Sequence, residues 1–276
     1  MKYKLILLFA VLLSCSVLMA QKDTITVISF NIRMNTKADG KNAWDVRKSA
    51  TLQMVKQEKP TVLCLQEALP EQKAFLEMNL KDYRAIGVGR EDGHSMGEHM
   101  AIFYLADKYE LLEHGDFWLS ETPDKVSKGW DAACHRIVTW GLFRHQRTGT
   151  EFYCFNTHLD HVGEVARRES ILLIKKKISE IVKDEKLPLV LTGDFNSSTD
   201  NEIFAPLKES MLEARKSAAV TDNKGTFNSY GTAPNNIVID HILIRNCKAL
   251  IFKTLDGDYG KPFISDHYPV KAVLEY

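Results

Sequence analysis

Six times along this chain an apolar, largely β-branched run ends in acidic, amide or imidazole side chains, and that repeated ending constrains the fold more than any other feature. The endings are Ser29-Phe30-Asn31, Leu65-Gln66-Glu67, Asn156-Thr157-His158-Leu159-Asp160, Gly193-Asp194-Phe195-Asn196, Ile239-Asp240-His241 and Ser265-Asp266-His267-Tyr268-Pro269. Runs of this composition read as strands. One polar strand end is ordinary, because a turn or a solvated terminus explains it. Six, all offering oxygen or imidazole donors, ask for sheets whose exits gather where loops on a rigid scaffold carry chemistry.

The rest of the pattern supplies the scaffold. Strands are expected at 24–32, 61–66, 99–105, 109–117, 136–147, 151–157, 187–191, 237–244, 249–255 and 268–274. Helices are expected at 44–58, where Val46, Leu52 and Val55 are the apolar positions and Lys59-Pro60 the stop, and at 70–80. The longest helix is expected over 163–186, with Ile171, Ile174, Ile178 and Ile181 at helical spacing on one core-facing stripe. Strands outnumber helices, which suggests two packed sheets with helices outside rather than one doubly wound sheet. There is no short tandem repeat and no low-complexity linker.

Residues 1–20 are read as a secretory signal: Lys2 and Lys4, an apolar run from Leu5 to Leu13, then small residues before Gln21. That run is short for a membrane span. Leu12-Leu13-Ser14-Cys15 supports a second reading, lipid attachment at Cys15, although Val17-Leu18-Met19 then leaves no polar tether. The expected product is one exported domain, 21–276, periplasmic or secreted, with no transmembrane segment after cleavage and monomeric. At 45% hydrophobic residues the chain suffices for a large core. Without Lys2 and Lys4, 34 basic residues face 36 acidic ones, a net charge of −2. That balance disfavours long duplex DNA as a partner, which calls for a basic surface. Cys64, Cys134, Cys154 and Cys247 show no zinc spacing, and Cys64 and Cys154 sit in strand-like runs as small hydrophobes.

Carboxylates beside imidazoles suit attack on phosphorus, which needs oxygen ligands for a hard cation and a His kept protonatable by an acid partner. Five of these separated elements (the six without the Asp240 strand), in this order and spanning about 24–273, resemble the endonuclease/exonuclease/phosphatase superfamily of metal-dependent phosphohydrolases. Phe117-Trp118-Leu119-Ser120-Glu121-Thr122-Pro123, with Gly129-Trp130-Asp131-Ala132-Ala133-Cys134-His135-Arg136, is most similar to secreted bacterial members and deadenylase-like relatives. The resemblance implies a four-layered α/β sandwich, two packed, mostly antiparallel sheets with helices outside. It implies Glu67 as principal ligand of Mg²⁺ or Mn²⁺, supported by Asn31 and Asp266. Asp194 and Asn196 would hold the attacking water and a phosphoryl oxygen, and Arg136 would contact phosphate. His267 would pair with Asp240, and His158 would lie across the scissile phosphate. His267, His158 and Asp194 compete for the acid and base roles.

Asp160 is read as a supporting partner, His161 as a rim residue and His241 as structural, because it faces away from Asp240 on a regular strand. His94 and His99 flank a Gly-containing loop that borders the substrate in this reading. Trp118, Trp130 and Tyr230 are candidates for stacking. The expected reaction is hydrolysis of a phosphate ester, a phosphodiester first and a sugar or inositol phosphomonoester second. A non-catalytic binding member of the fold is the alternative in another class. A zinc hydrolase on His158, Asp160 and His161 is a third reading, and it leaves Glu67 and Asp266 without a role.

Overall fold

The computed structural model describes residues 23–276, so the expected signal and Cys15 lie outside the described residues. Among the described residues twelve strands form two sheets. They are β1 Thr24–Asn31, β2 Val62–Gln66, β3 Tyr83–Ile86, β4 Ile102–Leu105, β5 Tyr109–Trp118, β6 Ile137–His145, β7 Glu151–His158, β8 Leu189–Asp194, β9 Leu212–Glu213, β10 Asp240–Arg245, β11 Lys248–Thr254 and β12 Val270–Glu275. One sheet runs β11-β12-β1-β2-β4-β3, the other β5-β6-β7-β8-β10-β9. Each contains one parallel pair, β1–β2 and β7–β8, and is otherwise antiparallel.

A parallel pair needs a crossover, and a helix is the usual one. The main helices are α1 Trp44–Glu58, α2 Pro70–Asn79 and α3 Glu164–Ile181. α1 is the crossover from β1 to β2, and α3 the crossover from β7 to β8. Each packs on the outer face of its own sheet. Ile28, Phe30, Leu63 and Leu65 meet Trp44, Met54, Val55 and Leu76 on one side. Tyr153, Phe155 and Leu191 meet Ile171, Ile174 and Ile178 on the other. The opposite parity of the same strands fills the space between sheets with Ile25, Val27, Val62, Cys64, Phe152, Cys154, Val190, Ile242 and Ile244. The result is the four-layered α/β sandwich.

Three details depart from the expected elements. α3 stops at Ile181, not 186, because Val182 leaves helical geometry and turns into the core beneath it. The buried face of α1 is Trp44, Arg47, Ala50, Thr51, Met54 and Val55, while Val46 is exposed. β3 and β9 are short edge strands without a distinct alternation. Among the described residues no helix is long and apolar enough to cross a membrane.

Strand parity also makes the site. Continuing the inter-sheet rows past Val27, Cys64, Cys154 and Val190 gives Ser29 and Asn31, Gln66, Asn156 and His158, and Thr192 and Asp194. The interior is therefore apolar at one end and polar at the other. At the boundary Gln66 Nε2 donates to Ser29 Oγ (3.1 Å) and Asn156 Oδ1 (2.7 Å). Asn156 Nδ2 donates to Leu65 O (2.8 Å) and Ala101 O (3.2 Å), tying one sheet to the other.

Candidate active site

Register sets the first three groups abreast. His158 of β7 lies opposite Asp194 of β8, and Asp194 opposite Asp240 of β10. From the facing sheet Asn31 Nδ2 donates to Asp194 Oδ2 (2.9 Å) and to Glu67 Oε1 (3.0 Å). Glu67 Oε2 accepts the Met34 N–H at 3.0 Å. Asn31 Oδ1 is taken by the Arg33 N–H (3.0 Å), so this amide spans the two carboxylates instead of turning its oxygen to them.

The strand exits bend sharply. Arg33, Glu67 and Asn196 all have left-handed backbone, with φ of 58°, 61° and 48°. Non-glycine residues reach this region at a cost, and such residues cluster at functional sites. Arg47 of α1 holds one bend in place: its buried guanidinium donates to Ile32 O, to Arg33 O (2.6 Å) and to Ile264 O (3.1 Å). Ser265 Oγ donates to Asn31 O (2.7 Å), which fixes the loop bearing Asp266 and His267 against β1.

His267 Nδ1 bonds Asp240 Oδ2 at 2.9 Å, its Nε2 lies 3.8 Å from Asp194 Oδ2, and Phe227 packs edge-on against the ring. On the other flank His158 Nε2 accepts from Asn196 Nδ2 (3.0 Å) and lies 3.4 Å from Asp194 Oδ2. The two imidazoles thus stand on opposite sides of Asp194 and are pushed apart in acidity. Burial works against charge on His267, but Asp240 and Asp194 outweigh it and raise its pKa to about 10. Burial, reinforced by Arg136 and Arg90, drives His158 well below the ordinary value. Burial and then Asp240 raise Asp194 to about 7. Glu67 is held below the usual carboxylate range: burial opposes this, and the Met34 N–H and Asn31 amide prevail. Burial raises Asp266, and the Glu67 charge adds to it.

Glu67, His158, Asp194, Asn196, Asp266 and His267 line one cavity of about 520 Å³, together with Arg33, Arg90, Glu98, Arg136 and His161, while Asn31 and Asp240 are not part of its lining. Asp160, with the residues around it, orients Arg136. Its carboxylate accepts N–H bonds from Ala133, Cys134, Val162 and Gly163 and pairs with Arg136 Nε at 3.3 Å. Burial disfavours its charge, yet those N–H groups hold it well below its ordinary value. Arg136 Nη2 lies 3.0 Å from His161 Nδ1, and its buried Nη1 has no hydrogen-bond partner among the described residues.

A divalent cation suits this donor set. Glu67 and Asp266 are hard oxygen donors that repel one another across the same cavity, and a cation between them relieves that repulsion. Asp194, Asp240 and His267 form a second group whose donor atoms lie within 4.8 Å of one another. Cys134, Asp160 and His161 do so too, but both Asp160 oxygens are already engaged and Arg136 sits against His161. The set His158, Asp160 and His161 is not assembled, because His158 turns to Asn196.

Other residues singled out in the sequence lie elsewhere. His241 is structural: it is buried, with Nδ1 3.0 Å from Glu213 Oε1 and Nε2 3.0 Å from Ser197 O. His99 is buried against Ala68 O, and His94 is exposed on the neighbouring loop. Trp118 is buried with Nε1 on Arg90 O, Tyr230 reaches Asp39, and the Trp130 backbone N–H donates to the Glu121 carboxylate. Cys64 and Cys154 are buried core residues, Sγ atoms 3.6 Å apart. Arg33, Arg47, Arg90, Glu98 and Phe227 were not foreseen. Arg47 left a signal, a charge on the helical stripe shared by Trp44, Ala50 and Met54, and Glu98 lies within the 94–99 loop already read as bordering the substrate.

The model of the Endonuclease/Exonuclease/phosphatase family matches residues 28–267. The crystal structure of an endonuclease/exonuclease/phosphatase from Bacteroides vulgatus is 39% identical, with a TM-score of 0.87 over 92% of this chain and 99% of that one. A mannosyl-6-phosphatase from Bacteroides thetaiotaomicron is 36% identical, with a TM-score of 0.86 over 91% of this chain and 100% of that one. An uncharacterised protein of Acanthamoeba polyphaga mimivirus is 26% identical over 254 residues, 84% of this chain and 92% of its own. The cavity, its two poised imidazoles and this match over most of its length agree, and the chain belongs to the endonuclease/exonuclease/phosphatase family.

Proposed function

We propose that the chain is an exported Mg²⁺- or Mn²⁺-dependent phosphatase that removes phosphate from a phosphorylated sugar through in-line attack by water. The observation that carries this is Arg136, a guanidinium that lines the cavity beside Glu67, Asp194 and Asp266, is held there by Asp160, and keeps one buried nitrogen, Nη1, without a partner among the described residues. Such a group is built to receive a phosphoryl oxygen. A monoester is preferred over a diester because the cavity has the volume of a small-molecule site, and because a 36% identical relative is a mannosyl-6-phosphatase. The second reading is a phosphodiester; its alkoxide leaving group needs a proton no less than that of a sugar monoester, and the two imidazoles would serve either.

Glu67 and Asp266, with Asn31 behind them, would hold the metal, which when bound neutralises phosphoryl charge. Asp194, raised to about 7, accepts the proton of the attacking water, and the Asn196 side chain positions that water. His267, kept cationic by Asp240, faces the developing negative charge. His158 lies on the far flank of Asp194, toward the leaving alcohol. The leader bearing Lys2 and Lys4 supports export.

Phosphate release from a hexose 6-phosphate and nitrophenol release from bis(p-nitrophenyl) phosphate, each with Mg²⁺, Mn²⁺ or EDTA, test the reading. The expected result is metal-dependent turnover of the monoester, abolished by EDTA and reduced at least 100-fold in Glu67→Gln and His267→Gln. Full activity in EDTA, or undiminished turnover in both variants, overturns it.

A further inference from the structure

Resting on that reading, we propose that the ion pair Arg90–Glu98 is the subsite that recognises adjacent hydroxyl groups of the sugar. Both residues line the cavity, and their side chains are only 10% and 9% exposed. Arg90 Nη1 meets Glu98 Oε2 at 2.5 Å, and Arg90 Nε reaches Glu91 Oε1 at 3.2 Å. Among the described residues the side-chain pair has one further ionic neighbour, His158 Nδ1 at 4.0 Å from Glu98 Oε2. Arg90 Nη2, a donor, and Glu98 Oε1, an acceptor, make no other hydrogen bond among the described residues. A pair this buried loses more by desolvation than it regains unless its remaining donors and acceptors are satisfied. Two neighbouring hydroxyls satisfy both, one donating to the carboxylate and one accepting from the guanidinium.

The placement fits the leaving alcohol. Glu98 Oε2 lies 4.0 Å from His158 Nδ1, itself buried and unpartnered, on the flank of Asp194 away from His267. The loop is stiff enough to act as a template. Arg90 N–H bonds Glu98 O (3.1 Å), Glu91 N–H bonds Met96 O (3.1 Å), and Trp118 Nε1 donates to Arg90 O (2.8 Å). Gly97 makes the return with φ of +82°, where a Cβ would stand 2.4 Å from Glu91 Cγ.

The test compares wild type, Glu98→Gln and Arg90→Lys on a hexose 6-phosphate, on its monodeoxy analogues and on p-nitrophenyl phosphate, with Mg²⁺. Wild-type kcat/KM should fall at least tenfold on removal of one specific ring hydroxyl, because the buried pair is then left unmatched. In both variants the preference for hexose phosphate over p-nitrophenyl phosphate should fall at least tenfold. Deleting that same hydroxyl should then cost the variants little, the non-additivity expected of a direct contact. Equal losses on all substrates would make the pair a structural brace and overturn the proposal, as would an unchanged preference. The deoxy series needs no variant, so it decides even where a substitution impairs folding. Absence of any phosphate-ester turnover by wild type would remove the functional reading beneath the proposal. An active enzyme indifferent to every deoxygenation would remove the subsite alone.

Discussion

Asn196 shows how a single residue serves both backbone and chemistry. Its φ of 48° turns the chain away from β8, its N–H bonds Asp194 Oδ1 (2.9 Å), and its amide bridges His158 Nε2 and Leu159 O (both 3.0 Å). Asn tolerates this region better than alanine, and glycine enters it freely. Asn196→Gly and Asn196→Ala therefore lose the same side-chain bonds and differ in backbone cost. Thermal melts should place the alanine variant about 1 kcal/mol below the glycine variant, roughly 2–4 °C in Tm. Activity should fall in both to a similar extent. Equal melting temperatures would show that the left-handed turn carries no strain. The same residue marks the limit of what can be read from letters. Gly193-Asp194-Phe195-Asn196 alone is a weak signal, compatible with a plain turn, and its carboxylate and amide take their roles from the resemblance that the polar strand exits carry together. Arg90 and Glu98 sit in a loop with no periodicity, and only three-dimensional closure brings them to the cavity wall.

Elements were legible where they are buried and clearly bounded. β1 and β7, buried on both faces, read as nearly unbroken apolar and β-branched or aromatic runs, and α1 is stopped by Lys59-Pro60, so all three were placed to within a residue. β3, half exposed at an edge, and the two-residue β9 have no face to declare, and α3 ran long because charges do not mark where a helix stops. β9 nonetheless supplies Glu213, which braces the exit of β8 from behind. Its carboxylate lies 3.0 Å from His241 Nδ1, 2.6 Å from Thr199 Oγ1 and 3.2 Å from Lys216 Nζ. Burial alone would raise its pKa, but the His241 bond leads a set of contacts that lower it to about 2. A carboxylate depressed in the folded state contributes stability above its unfolded pKa and loses it as pH falls toward the folded one. The window here runs from about 4.5 down to about 2. The urea midpoint of Glu213→Gln should lie below wild type by a constant margin at pH 7 and pH 5. By pH 3 the margin should shrink by about half. A margin independent of pH would mean that the charge on Glu213 does not contribute.

At the scale of the whole molecule the sandwich has to be dry at one end and wet at the other without parting in the middle. The polar layer of Ser29, Gln66, Asn156 and Thr192 makes that transition. Its side chains are fully buried, so each unmatched group would be expensive, and almost all are matched by one another. Asn156 is the centre: it receives from Gln66 Nε2 and Thr192 Oγ1 and donates to two carbonyls of the facing sheet. Leucine has nearly the same volume and would extend the apolar core by one layer. If burial of apolar area dominated, Asn156→Leu would be neutral or stabilising. The opposite is expected, because the substitution strips partners from Gln66, whose Oε1 already lacks one. It also leaves the carbonyls of Leu65 and Ala101 beside a methyl group. Unsatisfied buried groups cost about 1–3 kcal/mol each, partly relieved by their remaining bonds. We expect Asn156→Leu to lose about 2–3 kcal/mol, roughly 5–10 °C in Tm. Because the layer lies directly beneath Asn31 and Asp194, the loss should appear with metal present or absent. A melting temperature at or above wild type would mean that the two halves of the site are held together by the apolar core alone.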